Sequence, residues 1–113
     1  MSASEAIINA LKEFGYPCKP DIYTGKENYY FTFNTAGEHG ENYGDNEPEC
    51  VVCNMQIHLY LPLEKNYLKI KKQVREALFK AGFTYPEVTV LTIPEKGIRH
   101  IVYECDIEEE RED

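Results

Sequence analysis

Tryptophan is missing from this chain, and cations are scarce: twelve lysines and arginines stand against twenty aspartates and glutamates, a formal net charge of −8. Affinity for a phosphate backbone comes from cationic side chains that release counterions. Direct or sequence-specific nucleic-acid binding is therefore not expected. No apolar run approaches the roughly 20 residues needed to span a bilayer, so no membrane association is expected either. The N-terminus lacks a basic segment followed by an apolar stretch, which argues against a signal peptide. The cytosol is then the expected compartment, where thiols stay reduced. A phosphate-cradling glycine loop, a nucleophile elbow and a metalloprotease histidine pair are also missing. These gaps leave no active site to point to: neither an enzyme nor a cofactor is expected.

What is present suffices for one core. A chain of 113 residues, 42% of them hydrophobic, buries roughly two thirds of its unfolded surface without help from disulfides or metals. One domain is expected over 1–107. Glu108, Glu109, Glu110, Arg111, Glu112 and Asp113 read as a disordered acidic tail, because runs of like charge repel. Nine tyrosines outnumber five phenylalanines. Tyrosine is apolar along the ring and wet at the tip, which suits both interfaces and strands.

Apolar spacing predicts the elements. Ser2 and Glu5 form a capping-box pattern before a stripe of Ile7, Ala10, Leu11 and Phe14, so a helix is expected over 2–14, stopped at Gly15. Tyr29, Phe31 and Phe33 alternate with Tyr30, Thr32 and Asn34 in a strand over 28–35. Residues 36–48 hold three glycines and four carboxylates and read as a long polar loop, functional or mobile. The clearest strand is 50–60, with Val51, Cys53, Met55, Ile57 and Leu59 on a dry face. A helix over 64–81 follows, with Tyr67, Ile70, Val74, Ala77, Leu78 and Ala81 as its stripe and half of the basic residues on its other faces. Strands over 87–93 and 98–107 close a hairpin around Pro94–Gly97. The expected fold is α+β, order α-β-β-α-β-β: a mainly antiparallel four-stranded sheet with two helices on one face.

Candidate chemistry is thin. Cys50 and Cys53 have a spacing used by zinc and redox sites, with Cys18 and Cys105 as further thiols. An offset of three in a strand places the pair on opposite faces. His58 and His100 fall on the polar faces of their strands and would be neighbours across the sheet, able to serve a metal or acid–base site if a carboxylate joined them. Asp45, Asn46 and Glu47 follow Gly44 as in a calcium loop, but the alternating ligand spacing is absent.

The whole order resembles small phage and prophage tail proteins of the tail-terminator, or tail-completion, kind. The resemblance runs from about Ile7 to Asp106. It rests on the Tyr29–Phe33 strand, the run Glu41, Asn42, Tyr43, Gly44, Asp45, Asn46, the strand Met55–Tyr60, the helix Leu68–Ala81 with Gly82 and Phe83, and the closing His100–Glu104. It implies a structural virion protein whose copies form a ring, typically a hexamer. Such a ring caps the tail tube, halts its growth and meets the head-completion or connector protein. Its implied places are the virion and, during assembly, the host cytoplasm. The contact residues expected on this reading are Glu38, His39, Glu41, Asn42, Tyr43, Asp45, Asn46 and Tyr60. Two rival readings are a small zinc or thiol module using Cys18, Cys50, Cys53 and Cys105, and an acidic regulatory protein that mimics DNA.

Overall fold

The computed structural model describes residues 1–111 and, at Asn42, the backbone alone. Helix α1 (Ala3–Leu11) begins with the expected box: the Glu5 N–H donates to Ser2 Oγ at 3.1 Å, and the Ser2 N–H donates to Glu5 Oε1 at 3.2 Å. A 3-10 turn over Lys12–Phe14 tightens its end, and Gly15 takes the left-handed stop at φ 70°. A short β1 (Cys18–Pro20) precedes two long strands, β2 (Tyr30–Gly44) and β3 (Glu47–Pro62). Helix α2 (Leu68–Lys80), β4 (Glu87–Ile93) and β5 (Ile98–Glu110) complete the chain.

The sheet order is β1-β2-β3-β5-β4. β1 runs parallel to β2, and every other pairing is antiparallel. The fold is thus α+β with two helices and a mostly antiparallel sheet, as the sequence implies, but with five strands rather than four. The added strand is three residues long and contains a proline, tolerated because β1 lies at the sheet edge.

Alternation on the strands builds the core. Phe31 and Phe33, Cys53 to Leu61 at every second position, and Ile101, Tyr103 and Cys105 are buried on one face. Ile7 and Leu11 of α1 and Val74 and Leu78 of α2 close over them. The buried Tyr103 hydroxyl donates to the Lys71 carbonyl of α2 at 2.9 Å, so the polar tip of the ring is satisfied where it leaves the core.

Two expectations need correction. Residues 36–48 are not a loop: they are the continuation of β2, the turn, and the start of β3, paired from Gly37↔Asn54 to Gly44↔Glu47. Asp45 and Asn46 form the turn, both at positive φ (51° and 65°). That is the primed geometry whose twist matches the flanking strands, and Asp and Asn accept it with little strain. Glycine in the strand has a packing reason as well, since a Cβ at Gly40 would meet the Pro48 side chain at 2.7 Å. The acidic tail is also shorter than expected. Glu108, Glu109 and Glu110 belong to β5 and pair with Val52, Val51 and Cys50. Pairing with an apolar stretch overrides the repulsion within the run. Arg111 donates to the Pro48 carbonyl at 3.0 Å, and residues 112–113 lie outside the described residues.

The core assignment predicts sharply different costs along β3. Leu59→Ala should lower stability by about 2–5 kcal/mol, because Leu59 is fully buried. Glu49→Ala, on the same strand but exposed, should change it by about 0.5 kcal/mol or less. Urea unfolding of both variants checks the contrast.

Candidate functional site

The molecule is long, 54 × 25 × 25 Å, because the β2–β3 hairpin outruns the rest of the sheet. β1 covers β2 only at Phe31–Phe33. From Asn34 to Gly44 the outer edge of β2 has no strand partner among the described residues. On the far side β4 covers β5 only as far as Glu104. Past the Cys50↔Glu110 pair, β2 and β3 continue alone as a two-stranded arm. At about 3.3 Å per residue the arm reaches roughly 15 Å beyond the three-stranded part. A β-bulge between Thr35 and Gly37 marks where the hairpin leaves the broad sheet, and such bulges add local twist.

Seven of the eight expected contact residues lie on this arm or at its root. Glu38 sits at the root, opposite Cys53. His39 and Glu41, both exposed, meet at 2.9 Å at the root. Asn42 has its backbone in β2. Tyr43 stands in water at 66% exposure, which is unusual for a ring of that size. Asp45 and Asn46 are the tip. Tyr60 belongs elsewhere: it pairs with Tyr30 and His100 at the broad end of the sheet. A single loop could not have gathered all eight.

Tyr60 is part of a second feature, on the sheet face away from the helices. Tyr23, Tyr30, Tyr60 and His100 form a row of rings with centroids 4.6, 4.7 and 4.4 Å apart in sequence. One step along the strands, His58 Nδ1 lies 2.8 Å from His100 Nε2, and His58 Nε2 lies 2.8 Å from Asn34 Oδ1. Asn34 Nδ2 in turn donates to Gln56 Oε1 at 3.2 Å. A consistent chain of protons has His58 Nε2–H donating to Asn34 and His100 Nε2–H donating to His58 Nδ1. The two histidines are neighbours, as their strand positions imply. The further hydrogen-bond partner of the pair is the Asn34 amide, on His58, and among the described residues no carboxylate bonds to either ring. The arrangement therefore does not form the His–His–carboxylate site considered from sequence.

The cysteines do not converge. Cys18 sits on β1 opposite Phe31, and Cys50 at the root of the arm opposite Glu41. Cys53 and Cys105 are buried on the helix side of the sheet. Burial pushes the Cys105 thiol up to about 12 and the Cys18 thiol up to about 11. Burial, then Glu109 and Glu38, push the Cys53 thiol up to about 12. Thiols of this kind stay protonated at neutral pH, the opposite of a redox nucleophile. Among the described residues one trio of possible metal ligands falls within 4.8 Å: Glu38, Cys53 and Glu109. Its members already serve one another and the fold. The Cys53 thiol donates to Glu38 Oε1 at 3.7 Å, and the Ala3 N–H donates to Glu109 Oε2. A carboxylate at a helix start satisfies an orphan donor and complements the dipole, so Glu109 pins α1 to β5. That contact was invisible in sequence because it joins the two ends of the chain.

The histidine pair predicts an acid-sensitive fold. Burial holds His58 below its ordinary value of 6.5, and burial together with His58 does the same for His100. A depressed histidine is more readily protonated in the unfolded chain, so stability is full above 6.5 and declines as pH falls below it. His100→Gln, which bonds without titrating, should flatten the loss between about pH 6.5 and pH 5 in thermal unfolding. An unchanged pH slope would show that the pair is not its source.

Among the described residues no helix is long and apolar enough to cross a membrane. No protein-family model matches the chain, and a search of curated proteins gives no match, so the arm and the open sheet face are the features from which a role must be read.

Proposed function

We propose that this protein is a structural subunit of a phage tail, acting as a tail terminator. On this reading copies close into a ring, typically of six, at the end of the tail tube. The ring stops tube growth and offers a surface to the head-completion or connector protein. The one observation that carries the reading is the arm: a two-stranded hairpin with a long unpaired edge, projecting from a small helix-covered sheet.

An unpaired strand edge is a template for another chain, and proteins usually blunt it with short strands or cover it. Here the edge of β2 runs from Asn34 to Gly44. Charge on the arm keeps it from pairing indiscriminately, while its length suits a strand or loop of a defined neighbour. A ring is built from heterologous contacts, in which one patch of a subunit meets a different patch of the next. An arm that reaches past its own domain supplies such a contact. The net acidity supports the role too, since a ring that DNA must pass should not hold it.

Removal of the arm tests the reading. Glu41 and Cys50 face each other in register, so an Asn-Gly dipeptide in place of residues 42–49 closes a shorter two-residue hairpin. The core is untouched, and the circular dichroism spectrum and melting temperature should stay close to wild type. Ring formation and capping of purified tail tubes, seen by negative-stain electron microscopy, should be lost. An armless protein that caps tubes as well as wild type would refute the assignment.

A further inference from the structure

Formal charge is divided along the molecule in a way the fold cannot neutralise internally. Residues 36–49 carry Glu38, Glu41, Asp45, Glu47 and Glu49 and no lysine or arginine. Glu108 and Glu110 of β5 lie beside the base of this segment. Among the described residues, the lysine or arginine that reaches it is Arg111, 3.4 Å from Glu47. Helix α2 has the opposite sign: Lys69, Lys71, Lys72, Arg75 and Lys80 against the single carboxylate Glu76. Lys69, Lys72 and Lys80 are exposed, and among the described residues none of the α2 cations forms an ion pair. Lys71 and Arg75 instead lie over the rings of Tyr67 and Tyr85.

The arm continues the rigid β2–β3 ladder away from the domain, whereas α2 is packed on the sheet by Val74 and Leu78. The two patches therefore cannot meet within one chain. Apolar surface accompanies each of them. Tyr43 is 66% exposed on the arm, and Leu68 and Phe79 are 52% and 51% exposed on α2. Opposite charges with rings and aliphatic groups among them make an interface of ordinary composition, in which the charges choose the partner and the apolar groups hold it.

We propose that the acidic arm of one copy docks along α2 of a second copy. Glu41, Asp45, Glu47 and Glu49 face Lys69, Lys72 and Lys80 there, with Tyr43 laid against the exposed apolar groups of the helix. Because the two patches differ, the contact is head-to-tail, and repetition closes a ring or extends a filament. The inference rests on the ring reading above and names the surfaces that join its subunits.

A charge swap tests it on the full-length protein. One variant carries Glu41→Lys and Glu47→Lys, the other Lys72→Glu and Lys80→Glu. All four positions are exposed, so folding should persist, and circular dichroism checks it. Wild-type protein should self-associate in sedimentation velocity, and more weakly as salt is raised. Each variant alone should associate roughly tenfold or more weakly, and an equimolar mixture should recover wild-type association. Variants that associate like wild type, or a mixture that recovers nothing, would overturn the docking. So would a wild-type protein that stays monomeric at every concentration. Loss of tube capping by the arm variant, with the mass of the free protein unchanged, would make the tube the arm's occupant and also overturn it. The two readings fail separately. Tube capping that survives both swaps removes this contact and leaves the terminator role standing. Absence of capping by wild-type protein removes the role, while sedimentation still decides the contact.

Discussion

Strand β3 is the constraint on which the rest depends. From Cys50 to Tyr60 it is paired on both sides, with β2 along one edge and β5 along the other. Every second side chain from Cys53 to Leu61 is buried. Strand side chains alternate with period two, so a one-residue slip would turn all five of them into water. At about 1.5–3 kcal/mol for each large apolar side chain, such a slip is far too costly to be populated. The register of β3 therefore fixes the register of its neighbours. It also fixes which residues meet on the open face: Tyr60 beside His100, and His58 within reach of both His100 and Asn34.

The same ladder explains how an acidic, glycine-bearing segment becomes ordered. Residues 37–44 have little strand preference of their own. Once β3 is pinned, each pair added toward the Asp45–Asn46 turn closes only a short loop, which keeps the entropy cost low. The result is an arm held by backbone pairing and by few buried side chains. By that logic its local stability is below that of the core. An element of this kind suits a subunit that must find a neighbour and then be held by it.

What could be read from sequence follows from where burial leaves a periodic trace. The capping box at Ser2 and Glu5, the stripe of α2, the dry face of β3 and the span of β4 all have one wet and one dry side, and their spacing reports it. The α2 start is an exception: Asn66 accepts from the Leu68 N–H at 3.0 Å, so the helix begins at Leu68 rather than at residue 64. The arm is wet on both faces, so Glu38 to Glu49 show no alternation, and glycine and asparagine there resemble a loop. The Asp45–Asn46 dipeptide was the available signal, a primed turn between two segments of matched length. β1 could not be seen because three residues paired in parallel are specified by tertiary context. Glu109 at the start of α1 and Tyr60 beside His100 depend on contacts across 106 and 40 residues of chain. Local patterns carry no record of them.

Hydrogen exchange on the free and assembled protein probes the central claim most directly. The Phe31 N–H and Phe33 C=O point to the β1 side, and the unbroken β3–β5 ladder carries the alternation of β3 on to Cys50. His39 and Glu41 therefore face β3, while the amides of Glu38 and Gly40 point to the open edge of β2. In the free protein these amides should exchange far faster than those of Met55 to Leu61. On assembly with tail tubes they should become protected, together with amides in α2, while the Tyr30–Tyr60–His100 face stays unchanged. Protection confined to that open face, with the arm as exposed as before, would contradict the account.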